Sequence, residues 1–261
     1  MQIFTSDLDR TLIFSERTIA KAQHERICIE VLNEREISYV TEEIERLLHQ
    51  VNEQMHFVPV TTRSREQYER ITLFQESIVP EIAIVANGGI ILKNGEMDQE
   101  WQRQIEQKMD TLPLPLEQLP HHFSQQLSAT YFLQHQVMDN LFFVYNIDLQ
   151  EIDFLEMEQL QIQLKECGWA SYLHGRKFYI VPQELTKGAA VGYLKEQHNY
   201  DMHFAAGDSL MDMSMLYLAN RSFAPLHGEI MQHPESYRDI ELIHKTGAEF
   251  AEFCLQQILS Q

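Results

Sequence analysis

The chain has 261 residues, 20 Lys+Arg against 39 Asp+Glu and a formal net charge of −19, with 44% hydrophobic and 23% charged residues; this balance argues against disorder and for one large domain or a domain with an insert. So acidic a surface repels a phosphate backbone, which disfavours nucleic-acid binding, and no apolar run approaches the ~18 residues of a membrane span. Three scattered cysteines, Cys28, Cys167 and Cys254, and no apolar signal core before Asp7 lead us to expect a cytoplasmic globular protein without a disulfide framework.

In chain order, an apolar strand over residues 3–6 stops at Asp7. Residues 27–41 predict a β-hairpin flap around Asn33-Glu34-Arg35-Glu36. Residues 42–54 predict a helix, with Ile44, Leu47, Leu48 and Val51 on one face. A strand over 57–60 ends at Thr61-Thr62, and one over 82–86 ends at Asn87-Gly88-Gly89. Composition then changes: Pro113, Pro115 and Pro120 punctuate a loop. Residues 129–132 and 141–147 read as strands, 152–167 as a helix stopped by Gly168, and 170–173 and 177–181 as strands. A helix over 187–197 and a strand over 203–206, ending at Gly207-Asp208, follow.

Alternating strands and helices predict an α/β fold, a doubly wound, mostly parallel Rossmann-like sheet. The expected core comprises residues 1–96 and 182–261, and residues 97–181 form an inserted α/β unit. In such sheets polar site residues collect beyond the carboxyl ends of the strands. That rule makes neighbours of Asp7, Thr61, Asn87 and Asp208.

Asp7 and Asp9, two apart at the end of a buried strand, need either a proton or a cation between them. Asp208 and Asp212 close a second strand, four apart. Taken alone, each pair reads equally as a turn or helix cap. Two such pairs, each ending a core strand and rich in oxygen without thiolate or imidazole, point to Mg²⁺. Thr61, Thr62 and Arg63 offer hydroxyl, backbone N–H and guanidinium groups suited to phosphate, with a plain helix cap as the alternative. Lys187 opens a predicted helix, where it opposes the helix dipole; a surface lysine is the alternative. His174-Gly175-Arg176-Lys177 is the one compact basic cluster. Arg176 and Lys177 there either bind an anionic or hydroxylated substrate or are solvated charges in a hairpin turn. His121-His122 reads as surface, and Trp101 and Trp169 as core before sugar-stacking groups.

Asp-x-Asp-x-Thr at a first strand, Thr-x-Arg at a second, a helix-opening Lys and Gly-Asp-Ser-x-x-Asp resemble the haloacid dehalogenase superfamily of phosphohydrolases, in order and spacing. The insert between the second and third motifs, with Asn87-Gly88-Gly89, resembles the subgroup with a large α/β cap, which includes Cof-type sugar phosphatases, sucrose-phosphate phosphatases and phosphomannomutases. The resemblance implies Asp7 as nucleophile forming an aspartyl-phosphate and Asp9 as general acid/base. It implies Mg²⁺ on Asp7, the backbone carbonyl of Asp9 and Asp208, with Asp212 acting from further out or through water. Thr61, Thr62 and Lys187 would hold the phosphoryl group. Arg63 and Asn87, with cap residues Arg176 and Lys177, would face the substrate, a small phosphorylated metabolite of the sugar-phosphate kind. Phosphosugar mutase and silent phosphate-binding regulator are the alternatives. Two departures stand out: Arg10, where relatives often carry Gly or Asn, read as facing solvent before narrowing the pocket or contacting substrate, and Thr62, where Gly is common.

Overall fold

A computed structural model describes residues 1–232 and 239–261. The chain runs β1 (Gln2–Ser6), a short helix α1 (Glu16–Ile19), a hairpin of β2 (Arg26–Leu32) and β3 (Arg35–Thr41), α2 (Glu42–Gln54), β4 (His56–Pro59), α3 (Arg65–Glu69), β5 (Ile82–Val85), β6 (Ile90–Lys93) and β7 (Glu96–Met97). There follow α4 (Gln99–Asp110), the short helices α5 (Leu119–His122) and α6 (Ser124–Leu127), β8 (Phe132–Met138), β9 (Phe142–Ile147), α7 (Phe154–Glu166), β10 (Trp169–His174) and β11 (Lys177–Pro182). The last elements are α8 (Lys187–Gln197), β12 (Met202–Ala206), α9 (Met213–Leu216), β13 (Arg221–Pro225), β14 (Glu241–Ile243) and α10 (Gly247–Leu259). Two compact units result, Met1–Asp98 with Thr186–Gln261, and Gln99–Leu185.

In the first unit, five parallel strands pair in the order β14-β13-β12-β1-β4. A parallel bridge from Val60 to Ile84 carries the sheet on to β5, which turns back through β6 and β7. Strand alternation sorts the side chains. Phe4 lies in register with both Phe57 and Phe204, and Ala206 with Phe223. All five share one cluster with Ile44, Leu47, Leu48 and Val51 of α2 and with Phe250, Ala251, Cys254 and Leu255 of α10. The opposite parity, Ile3, Val58, Ala205 and Ala224, is also buried, and α9 packs on β12 and β13. Both faces are covered, so the sheet is doubly wound, and its strands read as continuous apolar runs for that reason. Thr41 caps α2 by accepting from the Ile44 N–H at 3.1 Å. The hairpin reverses at Asn33 and Glu34, both in the left-handed region (φ 50° and 63°), a turn that matches the twist of its strands.

The second unit is an antiparallel sheet, β10-β11-β9-β8, with α7 packed on β10. Its core holds Phe132, Phe143, Tyr145, Leu160, Leu164 and Phe178 around the fully buried Trp169, whose indole N–H donates to the Leu114 carbonyl at 2.9 Å. Three sequence expectations are corrected in this unit. The first strand occupies Phe132–Met138 rather than 129–132. Gln134, His135 and Gln136 lie on an exposed edge strand, where no buried face imposes alternation. The helix starts at Phe154, two residues late, because Asp153 is its cap and accepts from the Leu155 and Glu156 N–H groups. Third, α4 appears where no element was expected, burying Trp101 and Ile105.

Candidate active site

The catalytic candidates converge at the carboxyl ends of β1, β4 and β12 and at the start of α8. Asp7 follows β1 directly, and its N–H donates to the Ala206 carbonyl at the end of β12. Asp208 follows β12 across one glycine. A Cβ on Gly207 would come 2.5 Å from Cβ of Asp212, so only glycine lets Asp212 fold back against the strand end. There Asp212 Oδ2 accepts from the N–H groups of Asp208 (3.0 Å) and Ser209 (2.8 Å) and from the Ser209 hydroxyl (2.9 Å). Asp212 is thus both the loop's cap and a member of the cluster. A 3₁₀ turn at Leu210–Asp212 precedes α9, so Asp208 and Asp212 meet through this loop, and not on the face of one helix.

Lys187 is delivered from α8. Thr186 caps that helix by accepting from the Ala189 N–H at 3.1 Å. Gly88, in the left-handed region (φ 96°), lets the Asn87-Gly88-Gly89 turn lie on the Thr186 carbonyl, where a Cβ would approach to 2.3 Å. Lys187 is fully buried, and its Nζ donates to Asp7 Oδ1 and Asp212 Oδ1, both at 2.5 Å. The surface-lysine reading is therefore corrected. The second Asp7 oxygen accepts from the Thr11 hydroxyl at 3.1 Å.

Electrostatics follow from burial. Desolvation pushes the Asp7 carboxyl up to about 6, against the pull of Lys187 and with the push of Asp212. Burial opposes the charge on Lys187, but Asp212 and Asp7 outweigh it and hold the ammonium above its ordinary range. Two carboxylates and one ammonium still leave surplus negative charge, and the third carboxylate, Asp208, is faced by the Arg10 guanidinium at 3.3 Å. Asp7, Asp208 and Asp212 each bring a carboxylate oxygen to within 4.8 Å of the others, all three residues buried. Such an all-oxygen set suits a hard divalent cation of the Mg²⁺ kind.

The remaining site residues lie in the following places. Thr61 is fully buried beyond β4; its N–H donates to the Ile84 carbonyl and its hydroxyl accepts from the Arg63 N–H at 3.1 Å. Asn87 is buried, with left-handed backbone (φ 56°), and donates its N–H to the Thr61 carbonyl at 2.9 Å. Thr62, half-buried, occupies the bend between Thr61 and Arg63. The Arg63 guanidinium forks through Nε and Nη2 onto the two Asp9 oxygens at 2.7 and 2.9 Å, and Nη1 donates to Glu30 at 2.7 Å. Asp9 itself is half exposed. Arg176 and Lys177 are exposed at the β10–β11 turn of the second unit, at Gly175 (φ 57°).

The structure adds three contributors beyond the site residues assigned from the sequence. Arg10 adopts φ 68°, a left-handed backbone that Gly and Asn enter most readily. Far from simply facing solvent, its guanidinium lies 3.3 Å from Asp208 and donates to the His227 carbonyl at 3.0 Å. Glu30 and Ser38 of the hairpin are buried behind Arg63. A carboxylate within an alternating strand carries no sequence signal for such a role.

The model of the sucrose-6F-phosphate phosphohydrolase family matches residues 1–224. No curated protein matches the chain. Among solved structures, the sucrose-phosphatase of Synechocystis sp. PCC6803 in complex with sucrose and phosphate superposes with a TM-score of 0.70 at 15% identity, covering 100% of this chain and 98% of that one. A haloacid dehalogenase-like hydrolase from B. subtilis gives a TM-score of 0.61 at 15% identity, covering 99% and 100%. Another from Bacteroides thetaiotaomicron gives 0.61 at 15% identity, covering 98% and 99%. At such identities the structures speak for the fold, and the family model speaks for the rest: this chain belongs to the sucrose-6F-phosphate phosphohydrolase family and is a phosphatase of the haloacid dehalogenase type.

Proposed function

We propose that this phosphatase is a Mg²⁺-dependent phosphomonoesterase of the cytoplasm, hydrolysing a small sugar phosphate through an aspartyl-phosphate on Asp7. The observation that carries the reading is the buried set of Asp7, Asp208 and Asp212 around Lys187. Burying three carboxylates for packing alone is costly, so a site that gathers them has a cation and an anionic reactant to hold.

In this reading a carboxylate oxygen of Asp7 attacks phosphorus and the bond to the sugar oxygen breaks. Asp9 supplies the proton that lets the sugar leave as an alcohol. Asp9, now anionic, takes a proton from water, whose oxygen attacks the same phosphorus, and the bond to Asp7 breaks to release phosphate. One carboxyl cannot be both nucleophile and proton carrier, which is why two are needed. Lys187 neutralises phosphoryl oxygens that would otherwise repel Asp7, and Thr61 and Thr62 bind the same group. Mg²⁺ would be held by Asp7, Asp208 and the backbone carbonyl of Asp9, with Asp212 acting through water, and when bound supplies positive charge against the phosphoryl dianion. Asn87 and the cap residues Arg176 and Lys177 contact the sugar. The unit of residues 97–181 serves as the specificity cap on a core of 1–96 and 182–261.

The test is phosphate release over a panel led by sucrose 6F-phosphate, with other sugar phosphates, nucleotides and an aryl phosphate, in Mg²⁺ or EDTA. Turnover in Mg²⁺ that falls by at least about 10³-fold in Asp7→Asn, with an unchanged fold, is expected. Near wild-type turnover in Asp7→Asn refutes the mechanism, and turnover only with a bisphosphate activator favours a mutase. Mg²⁺ binding has its own readout. It raises the melting temperature, and more at pH 8 than at pH 5, because below about 6 a proton competes for Asp7.

A further inference from the structure

Glu30 is a buried carboxylate that the hydrolysis just described leaves without a task. It sits in β2 with 2% of its surface exposed, at a point where the pairing with β3 slips on either side of it. A bulge of this kind re-aims a side chain that regular alternation would place elsewhere. Glu30 Oε2 accepts from the Ser38 hydroxyl across the hairpin at 2.6 Å and from Arg63 Nη1 at 2.7 Å, while Oε1 accepts from Arg70 Nε at 3.3 Å. Arg63 also reaches the Ser38 hydroxyl through Nη2 at 3.1 Å. One edge of the Arg63 guanidinium is therefore held by the hairpin, and the other forks onto both oxygens of Asp9.

The exposures run in one direction along this chain: 2% for Glu30, 11% for Arg63, 52% for Asp9. A buried anchor fixes a nearly buried cation, and that cation fixes the half-exposed carboxylate. A carboxylate in solvent has little to hold its rotamer, and a planar guanidinium that is itself immobilised restricts it at two oxygens at once. Glu30 has a second counter-charge in Arg70, and Arg63 alone joins it to Asp9 through the contacts given above.

Resting on the phosphatase mechanism proposed above, we infer that Glu30, with Ser38, is a positioning residue for proton transfer: it fixes Arg63, and Arg63 holds Asp9 in the orientation from which it serves the leaving group, one of the two N–H contacts giving way while Asp9 carries the proton. The consequence is selective. A sugar leaves as an alcohol and needs the proton, whereas a p-nitrophenolate leaves without one. Damage to the Glu30–Arg63–Asp9 chain thus falls on sugar phosphates and spares aryl phosphates.

The experiment compares kcat/KM, which reports steps through departure of the leaving group, for sucrose 6F-phosphate and p-nitrophenyl phosphate in wild type, Glu30→Gln, Arg63→Lys and Ser38→Ala. Loss of about tenfold or more on the sugar phosphate, with the aryl phosphate within about twofold, is expected for Glu30→Gln and Arg63→Lys. Ser38→Ala, which keeps every charge and leaves the fold least disturbed, gives the same split at smaller size and decides the matter if the other two fail to fold. An equal fall on both substrates, or no fall on the sugar phosphate, overturns the role of Glu30 while leaving the phosphatase reading intact. Wild-type hydrolysis of neither substrate overturns both.

Discussion

In the unit built on β1 and β12, Asp7, Glu30, Lys187, His203, Asp208 and Asp212 are all buried, together with hydroxyl groups such as Thr61 and Ser209. Among the described residues of Gln99–Leu185, the buried side chains are aliphatic and aromatic, and Arg176 and Lys177 stay at the surface of a turn. The first unit accepts the desolvation of charge and offsets it by pairing; the second avoids it. Chemistry needs groups whose charge and direction are fixed, and that requires buried polar networks with every member engaged. A unit whose buried side chains are mostly apolar can vary its surface residues without disturbing a buried polar network.

The strongest way to break the comparison is to remove the cation from the first unit. Lys187→Met leaves Asp7 and Asp212 buried beside each other without the ammonium they share, and unfolding by denaturant should lose about 3 to 5 kcal/mol. Mg²⁺ should restore part of it, and a neutral outcome would mean that pairing is not what stabilises the cluster. In the second unit the matching lesion is apolar. Trp169→Ala removes a fully buried indole and its hydrogen bond, at about 3 to 5 kcal/mol. Hydrogen exchange should show protection lost in β9, β10 and β11 and kept in β1 and β12; an even loss through both units would erase the distinction.

His203 sharpens the contrast through pH. Its Nδ1–H donates to the Leu218 carbonyl at 3.2 Å and its Nε2 lies 2.8 Å from the Thr5 hydroxyl, which can serve a neutral ring as donor, the form that burial favours. Burial lowers its pKa from 6.5 to about 4. Above pH 6.5 the ring is neutral folded and unfolded, and its contribution is fully present. As pH falls from 6.5 to about 4, only the unfolded chain takes up the proton, and about 3 kcal/mol is lost. Below about 4 the loss ends. His203→Gln should flatten that slope, measured by denaturation at a series of pH values. The smallest effect belongs to the turn. Arg176→Ala combined with Lys177→Ala should shift stability by no more than about 0.5 kcal/mol. The KM for a sugar phosphate should rise while that for an aryl phosphate stays; equal KM values would remove both residues from the substrate contacts.

Much of this was legible in the chain because local chemistry and tertiary role coincide. Helices α2 and α8 begin and end at the expected residues, 42–54 and 187–197, since each opens after a threonine cap. Strands β1, β4, β5 and β12 fall within a residue of expectation, being apolar runs stopped by the polar residues that form the site. Where the local signal was weak, reading failed. The edge strand β8 is exposed along its five central residues, so no buried face patterned it, and β14 has only three residues.

By itself, then, the sequence determined which residues are available for chemistry and that they stand at the ends of buried strands, because apolar periodicity and spacing are local properties. Only the tertiary structure decided how they meet: Lys187 between Asp7 and Asp212, Arg10 against Asp208, and Glu30 behind Arg63. Each of those contacts joins segments distant in the chain, and its direction is set by backbone geometry at a glycine, a left-handed residue or a bulge that no neighbouring residue announces.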